Sequence, residues 1–239
     1  MFINNNPMSN KAASVFFDQK FSETYDERNR NLSPIFKNLH FLLGLVLADL
    51  PVNAHILCVG VGTGEEIIAL SAAHPDWQFT GIEPSVPMAG ICKEKIQEIG
   101  LADRCTILNG YLSDVDQGAN YDAVLCLLVT HFITDHNERQ LMFNDMYARL
   151  KEGGYLINAD ISDNMSSPQF QSILEKWKVM HKHSGASEQA LENMEKALAT
   201  HVSVVSKDKM ESFLRGAGFA LPVQFFQSLL IRAWYSKKE

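Results

Sequence analysis

Residues 55–65 read HILCVGVGTGE, a short apolar run followed by three glycines at alternate positions and an acidic residue. The run predicts a buried strand, and a helical pattern begins after Gly64. Glycines at such a turn permit positive φ angles and let a ligand approach the main chain closely. The spacing is G-x-G-x-G, which differs from the dinucleotide fingerprint and from the P-loop. An ordinary strand-to-helix turn is the alternative interpretation.

A second signal lies at the end of the next predicted strand. Glu83 follows the apolar run 78–82 and stands nineteen residues after Gly64. A carboxylate at this place can accept hydrogen bonds from both hydroxyls of a ribose in doubly wound folds. An acid before Pro84 and Ser85 would also suit the start of a helix. Coupled with the glycine turn, the ribose interpretation is favoured.

Short apolar runs alternate with helical patterns along the middle of the chain, which predicts an α/β fold with helices on both faces of a parallel sheet. Two later strands within 221–235, with their turn at 227–228, are expected to pair as an antiparallel hairpin. Together they predict a doubly wound, mostly parallel, seven-stranded sheet. The five earlier predicted strands are 55–59, 78–82, 105–108, 123–129 and 155–158.

Four regions are expected. Residues 1–52 form an N-terminal helical cap, in which Ser33 and Pro34 begin a helix as N-cap and first residue. Residues 53–161 form the ligand-binding α/β core. Residues 162–205 form an inserted pair of helices, here called the lid, with the first helix beginning at Ser167-Pro168. Residues 206–239 supply the last helix and the strand pair that complete the core.

The composition narrows the class of protein. The chain has 239 residues, 46% of them apolar, and a net charge of −7, which disfavours a broad basic surface for duplex nucleic acid. The longest apolar runs are about eight residues, whereas a membrane-spanning helix needs about twenty. The N-terminus does not read as a signal peptide, and the four cysteines form no C-x-x-C pair. We therefore expect a cytoplasmic protein with reduced thiols.

The glycine turn 59–64, the stretch 83–85 with Met88, the opening of the fourth strand at 121–124 and the turn into the fifth strand at 150–156 together resemble the class I S-adenosylmethionine-dependent methyltransferases. The resemblance implies their Rossmann-like fold, the cofactor S-adenosyl-L-methionine, and methyl transfer, most simply to a small molecule. It implies that Glu83 holds the ribose and that Met88 lies against the adenine. The implied cofactor-binding residues are Gly60, Val61, Gly62, Thr63, Gly64, Glu83, Pro84, Met88, Tyr111, Leu112 and Leu127.

The sequence departs from that family at two positions. Cys58 stands where the family has an acid that helps to hold the ammonium group of the methionine part. Glu65 or backbone groups are expected to substitute for that acid. Tyr111 stands where an Asp often reaches the adenine. Tyr111 is expected to stack on the base, with Asp114 as the substitute acceptor.

Residues on the acceptor side are predicted from their position after the fourth strand. His131 is the candidate general base, because a base is needed when the attacking atom must lose a proton. A histidine that only packs at a strand end is the alternative. Thr130, Tyr25, Arg28 and Trp177 are the candidate substrate-binding residues, although Tyr25 and Arg28 would also suit a solvated helix face. No metal site is expected, since His181 and His183 do not share a helix face.

Two rival functions stay open. The layout also resembles that of the carboxy-S-adenosylmethionine synthases of tRNA modification, which bind a carboxylate with an arginine in the last helix. Phe213 stands at that position here, with Arg215 two residues away. The other rival is a regulator that binds the cofactor without catalysis. A homodimer is possible, because the apolar residues 225–231 can pack within the sheet or at a dimer edge.

Overall fold

The computed structural model describes residues 22, 25, 32–118 and 120–239. Within these residues, seven strands form one sheet in the order β3-β2-β1-β4-β5-β7-β6. All pairings among the first five strands are parallel, and β7 runs antiparallel to both β5 and β6. The strands are β1 His55–Val59, β2 Gln78–Glu83, β3 Cys105–Asn109, β4 Tyr121–Leu127, β5 Leu150–Ile161, β6 Val223–Ser228 and β7 Ile231–Lys237. The predicted fold class is confirmed.

Helices cover both faces of the sheet. Helices α1, α2, α3, α5 and α6 contribute to one hydrophobic cluster, and α4 and α7 contribute to the other. The two clusters are separated by the sheet, as a doubly wound fold requires. The helices are α1 Ser33–Val46, α2 Glu65–Ala73, α3 Val86–Glu98, α4 His136–Arg149, α5 Pro168–His183, α6 Glu188–Thr200 and α7 Lys207–Gly216. None of the helices in the described ranges is both long and apolar enough to cross a bilayer.

The order of the strands positions a ligand site. Strand β1 pairs with β2 on one side and with β4 on the other, so the chain winds outward in opposite directions from this point. In open parallel sheets, ligands bind in the crevice beyond the carboxyl ends of the strands at such a switch point. The glycine turn after β1 and the segment after β4 both lie at this edge.

Local capping explains where several helices begin. The Ser167 hydroxyl accepts a hydrogen bond from the Phe170 N–H at 3.1 Å, so the predicted start of the first lid helix is confirmed. The start at Ser33-Pro34 differs from the prediction. Ser33 is already helical, and the preceding Leu32 has φ −92° and ψ −1° and makes no side-chain cap. Helix α1 therefore begins with Pro34 in its first turn but without an N-cap side chain.

Several strand limits differ from the sequence prediction for backbone reasons. Strand β4 ends at Leu127, two residues early, because Leu128 has φ +60° and leaves the extended region. The hairpin of β6 and β7 turns at residues 229–230, where Leu229 has φ +51°, and not at the less apolar pair 227–228. Leu230 is fully buried, so this turn is apolar because it packs into the core.

The apolar residues 225–231 pack within the single chain. Phe226, Leu230 and Ile231 are buried in the first cluster, and Phe225 and Leu229 pack against it. Phe225, on the edge strand β6, and Leu229 remain half-exposed, and the homodimer stays a prediction. Three of the four cysteines are buried, and Cys105 is half-buried.

A buried arginine links α4 to the loop that follows β3. Arg149 is fully buried, and its Nη2 donates to the carbonyl oxygens of Leu112 and Val115, both at 2.8 Å. Its Nη1 donates to the Asp145 carbonyl oxygen at 3.0 Å. Hydrogen bonds from a charged donor are the stronger kind, and buried carbonyls that lose them are costly. Arg149 therefore fixes the segment that carries Tyr111 and Leu112.

We expect Arg149→Met to lower the free energy of unfolding by about 2–4 kcal/mol, because it leaves buried carbonyl oxygens without donors. Arg215→Met is the matched control, since Arg215 is half-exposed and its ion pair within the described ranges is with Glu211 on its own helix. That exposed pair contributes less than about 1 kcal/mol. Urea unfolding of both variants measures the difference, and equal losses would contradict this role of Arg149.

Candidate active site

The glycine turn folds back over the end of β2. Gly60 and Gly62 have φ angles of +69° and +55°. A Cβ atom on Gly60 would stand 2.5 Å from Val129 Cγ2, whereas a Cβ on Gly62 would meet only Met88 Cε at 3.6 Å. Gly60 is therefore required by close packing against the segment after β4. Gly62 leaves open space beside Met88, which is a cradle that a ligand can fill.

Glu83 is held in place by the turn itself. Its Oε2 accepts the Gly62 N–H at 3.0 Å, and its Oε1 accepts the Ser85 N–H at 2.9 Å. The side chain is buried, and burial raises its pKa above the ordinary value although both hydrogen bonds lower it. A carboxylate has about four lone-pair sites, so acceptor capacity remains for two hydroxyl groups.

Other predicted cofactor residues surround this turn but differ in what they expose. Met88 is buried in the first turn of α3, where its N–H donates to the Ser85 hydroxyl at 3.4 Å. Val61 is buried in the first cluster against Gly81, so its contribution to a ligand is through its backbone. Pro84 and Leu127 are half-buried, while Thr63 and Leu112 are buried.

The proposed substitutes for the missing family residues have other partners in the structure. Asp114 is exposed, and its Oδ2 accepts the Tyr111 N–H at 2.8 Å, so this carboxylate caps its own turn. Glu65 is directed outward, with 57% of its side chain exposed, and pairs with Lys95 at 2.6 Å. The next residue, Glu66, is the buried one. Sequence reasoning missed it, although Glu66 and Leu70 are spaced as one buried helix face.

A buried polar cluster lies after β4 and centres on Asp160, the penultimate residue of β5. The Asp160 carboxylate accepts hydrogen bonds from the Thr130 hydroxyl, from His131 Nδ1 and, at 3.1 Å, from the His131 N–H. Arg139 Nη2 on α4 donates at 2.5 Å to Oδ2, the oxygen that also accepts the Thr130 hydroxyl. The side chains of Arg139 and Asp160 are fully buried. The cluster therefore joins the ends of β4 and β5 to α4.

Electrostatics keep Asp160 ionised. Burial raises the pKa of this carboxyl, but Arg139, His131 and the hydrogen bonds lower it further, so the net pKa lies below the ordinary value. An ionised carboxylate can only accept hydrogen bonds, so His131 Nδ1 carries the proton in the neutral ring. The Nε2 atom of His131 is then left with a lone pair.

Sequence reasoning found His131 and Thr130 but missed Asp160 and Arg139. Strand β5 extends three residues beyond the predicted 155–158, and an acid near the carboxyl end of a strand was the available signal. Thr130 is fully buried with its hydroxyl on Asp160, so its predicted contact with substrate has no support from this geometry. Arg139 lies in a helix whose sequence is mostly polar, and nothing in the pattern marks it as buried.

Of the remaining predicted substrate-binding residues, Trp177 and Tyr25 lie in the described part of the chain. Trp177 is buried in the first cluster, with its ring edge-on to His181 on α5. Tyr25 is half-buried, and Arg28 lies outside the described residues. The described ranges contain no group of three His, Cys, Asp or Glu side chains that could hold a metal ion. Arg215 is half-exposed and paired with Glu211, while Phe213 is buried beside Phe143.

The family comparison matches this geometry. Residues 56–154, which run from β1 into β5, match the model of a methyltransferase domain. In this stretch the chain carries a methyltransferase domain, similar to those that use S-adenosylmethionine. The open cradle beside Gly62 and the acceptor capacity of Glu83 fit the cofactor of this class, S-adenosyl-L-methionine.

The similarity to known proteins extends beyond that domain. The carboxy-S-adenosyl-L-methionine synthase of Campylobacter hominis is 24% identical over 226 residues, 93% of this chain and 94% of its own length. The magnesium protoporphyrin IX methyltransferase of Synechocystis PCC 6803, solved with bound S-adenosylhomocysteine, has a TM-score of 0.69 at 16% identity and covers 96% of this chain and 100% of its own. A putative O-methyltransferase of Nostoc punctiforme has a TM-score of 0.65 at 19% identity. The structural match covers 91% of this chain and 59% of that protein.

We expect Gly60→Ala to lower the free energy of unfolding by about 2–3 kcal/mol, since left-handed strain adds to a clash with Val129. Gly100→Ala is the control, because Gly100 has φ +72° but no atom within 4 Å of an added Cβ. The control should lose about 1 kcal/mol from strain alone. Chemical unfolding measures both, and the packing argument fails if the two variants lose the same amount.

We expect Asp160→Asn to lower the free energy of unfolding at pH 7 by about 3–5 kcal/mol, because it leaves Arg139 buried without its counter-charge. Asp145→Asn is the control, since Asp145 is partly exposed and its partner Arg149 keeps three carbonyl acceptors. The lowered pKa sets the pH dependence. The Asp160 contribution is complete above about pH 4 and is lost as pH falls through the lower folded-state value. Acid unfolding of wild type and variant tests this, and identical acid profiles would contradict it.

Proposed function

We propose that this protein transfers the methyl group of S-adenosylmethionine to a small-molecule acceptor, with His131 as the general base. The observation that carries the proposal is the hydrogen bond between His131, in the segment after β4, and Asp160, near the end of β5. Val129, two residues before His131, contacts the glycine turn, so the base candidate and the predicted cofactor site are neighbours at one edge of the sheet.

The cofactor side is assigned to residues that the turn already orders. S-adenosylmethionine, when bound, supplies a methyl group on a positively charged sulfur, which needs no further activation by the protein. Glu83 would accept the ribose hydroxyls, Met88 would lie against the adenine, and Tyr111 and Leu112 would border the base. The backbone of residues 60–64 would line the amino-acid part. The protein's task is then to align the acceptor and to exclude water.

His131 is suited to remove a proton from the acceptor. Asp160 fixes the ring through Nδ1, and Arg139 keeps Asp160 ionised, so the ring cannot rotate without losing its hydrogen bond to this carboxylate. The proton of the attacking group would move to His131 Nε2, and the neighbouring aspartate would stabilise the imidazolium that forms. This arrangement supports an acceptor with an ionisable O–H, N–H or C–H group.

The lid supports a small, enclosed acceptor. Its return segment is tied to the base, because the Ser203 N–H donates to the His131 carbonyl oxygen at 2.8 Å and Arg139 Nη1 donates to the Ser203 carbonyl oxygen at 2.9 Å. The side chain of His131 is 4% exposed as a result. Such burial suits a molecule that enters beneath the lid, where Trp177 and Tyr25 are the proposed contacts. Whether two copies associate stays a prediction.

The alternative is a synthase that modifies the sulfonium itself, and the relative from Campylobacter hominis favours it because the similarity spans nearly both chains. Against it stands the surface position of Arg215 and its pairing with Glu211. Phe213, at the position expected for a carboxylate-binding arginine, is buried under α4 with Phe143. The alternative therefore lacks its expected anion-binding residue in the last helix.

The test separates binding from transfer. We expect His131→Asn to leave the affinity for S-adenosylhomocysteine within about twofold while lowering the turnover of methyl groups by about 10²–10⁴-fold. Glu83→Gln should weaken the affinity itself. His183→Asn is the control, since His183 is exposed on α5. Calorimetry gives the affinities, and methylation of a panel of phenols, thiols, amines and carbon acids gives the turnover.

Three outcomes would contradict the proposal. A carboxylated sulfonium product detected by mass spectrometry would support the synthase instead. Undiminished turnover in His131→Asn would show that His131 is not the general base. Cofactor binding without turnover of any acceptor class would favour the regulator.

A further inference from the structure

A buried acid next to the glycine turn has no role in the proposed chemistry so far. Glu66 is the second residue of α2, directly after the turn, and is 9% exposed. Its neighbour Glu65 points outward to Lys95. One helix therefore presents two consecutive glutamates to opposite environments, and only Glu65 has an obvious surface partner.

The surroundings of Glu66 are acidic or apolar. The charges that act on it are those of Glu65 on its own helix and Glu83 at the end of β2. Glu66 in turn raises the pKa of the thiols of Cys58 on β1 and Cys92 on α3, and of Cys126 on β4. The carboxyl group therefore lies where β1, β2 and α3 converge beneath the turn.

Among the described residues, the stabilisation of its charge comes from its own backbone N–H, at the N-terminus of α2. No lysine, arginine or histidine pairs with Glu66 in the part of the chain that the structure describes. Burial, with the two neighbouring acids, raises its pKa to about 8. Without a cation nearby, Glu66 is thus mostly protonated at neutral pH.

Such a group is unusual for a helix that could have used an apolar residue here. A buried carboxyl that lacks a partner lowers stability, and an added cation at hydrogen-bond distance would convert that penalty into an attraction. S-adenosylmethionine carries an ammonium group on its amino-acid part. Cys58 on β1, two residues before Gly60, is uncharged and fully buried, so its side chain offers that ammonium no counter-charge.

We propose that Glu66 binds the ammonium group of the amino-acid part of the cofactor. The inference rests on the proposed function in that both need the cofactor at the glycine turn. Glu83 would then anchor the ribose and Glu66 the opposite end, so that the two carboxylates fix the length and direction of the bound molecule. On binding, the Glu66 carboxyl releases its proton to solvent and its oxygens accept N–H bonds from the ammonium.

The test compares two ligands that differ in this group. S-adenosylhomocysteine keeps the ammonium, whereas 5′-methylthioadenosine has the same nucleoside and sulfur but no amino-acid part. We expect Glu66→Gln to lower the affinity for S-adenosylhomocysteine about tenfold or more, because a buried charge-assisted contact is lost. Its affinity for 5′-methylthioadenosine should stay within about twofold, which also shows that the variant is folded. Glutamine matches the shape of the protonated acid.

Matched variants sharpen the comparison. Glu65→Gln should leave both affinities unchanged, since the Glu65 side chain is exposed and pairs with Lys95. Glu83→Gln should lower the affinity for both ligands, because both carry the ribose. These variants separate a specific loss at Glu66 from a general loss of negative charge near the turn.

Proton linkage gives a second readout. Because Glu66 must ionise, the affinity for S-adenosylhomocysteine should rise about tenfold per pH unit between pH 6 and 7. Calorimetry in buffers of different ionisation enthalpy should record about one proton released. Glu83 also has a raised pKa, but it affects both ligands, so the 5′-methylthioadenosine titration corrects for it. Glu66→Gln should remove the remaining dependence.

The outcomes distinguish this inference from the proposed function. An unchanged S-adenosylhomocysteine affinity in Glu66→Gln, or an equal loss for both ligands, overturns the role of Glu66 and leaves the methyltransferase proposal standing. A wild-type protein that binds neither ligand overturns both. Selective loss for S-adenosylhomocysteine together with proton release supports the inference, whatever acceptor is methylated.

Discussion

The Asp160 carboxylate is shared by donors from two other segments of the chain, and the geometry of the candidate site depends on it. It accepts from Thr130 and His131 after β4 and from Arg139 on α4. Arg139 also holds the Ser203 carbonyl, where the chain returns from the lid. A buried ion pair needs further hydrogen bonds, and Asp160 also accepts from the Thr130 hydroxyl, from His131 and from the Ile161 N–H. The same contacts that avoid an isolated buried charge also orient the histidine.

The opposite half of the site is organised by the glycine turn. Positive φ angles direct the Gly62 N–H to Glu83, so the turn orders the acid that would receive the ribose. A second acid, Glu66, lies on α2, the helix that follows the turn. It has no counter-charge among the described residues. Binding is thus expected to rest on two buried carboxylates, whereas proton transfer is expected to rest on one histidine. The segments that carry these side chains lie at one edge of the sheet because β1 and β4 are neighbours at the switch point.

Sequence patterns were sufficient for the sheet and for the residues that follow its strands. The alternation of apolar runs and helical periods predicted the doubly wound fold, and the positions after β1, β2 and β4 predicted the glycine turn, Glu83 and His131. Errors concentrated where local composition and backbone conformation disagree. Gln227 and Ser228 look like a turn but stay paired with β7, while the apolar pair 229–230 makes the turn because the core buries Leu230. Asp114 and Glu65 have suitable charges in sequence, yet each is bound elsewhere.

The sequence by itself determined the order of the elements, the glycine turn and the identity of the acids at strand ends, because these depend on periodicity and local backbone freedom. Only the tertiary structure decided which acid is buried and which is solvated. Glu65 and Glu66 are adjacent and chemically identical, and the rotation of about 100° between successive helix residues sends one to Lys95 and the other beneath the turn. The pairing of Asp160 with His131 likewise joins residues 29 positions apart. No local pattern encodes such a contact, because it exists only after β4 and β5 have paired in register.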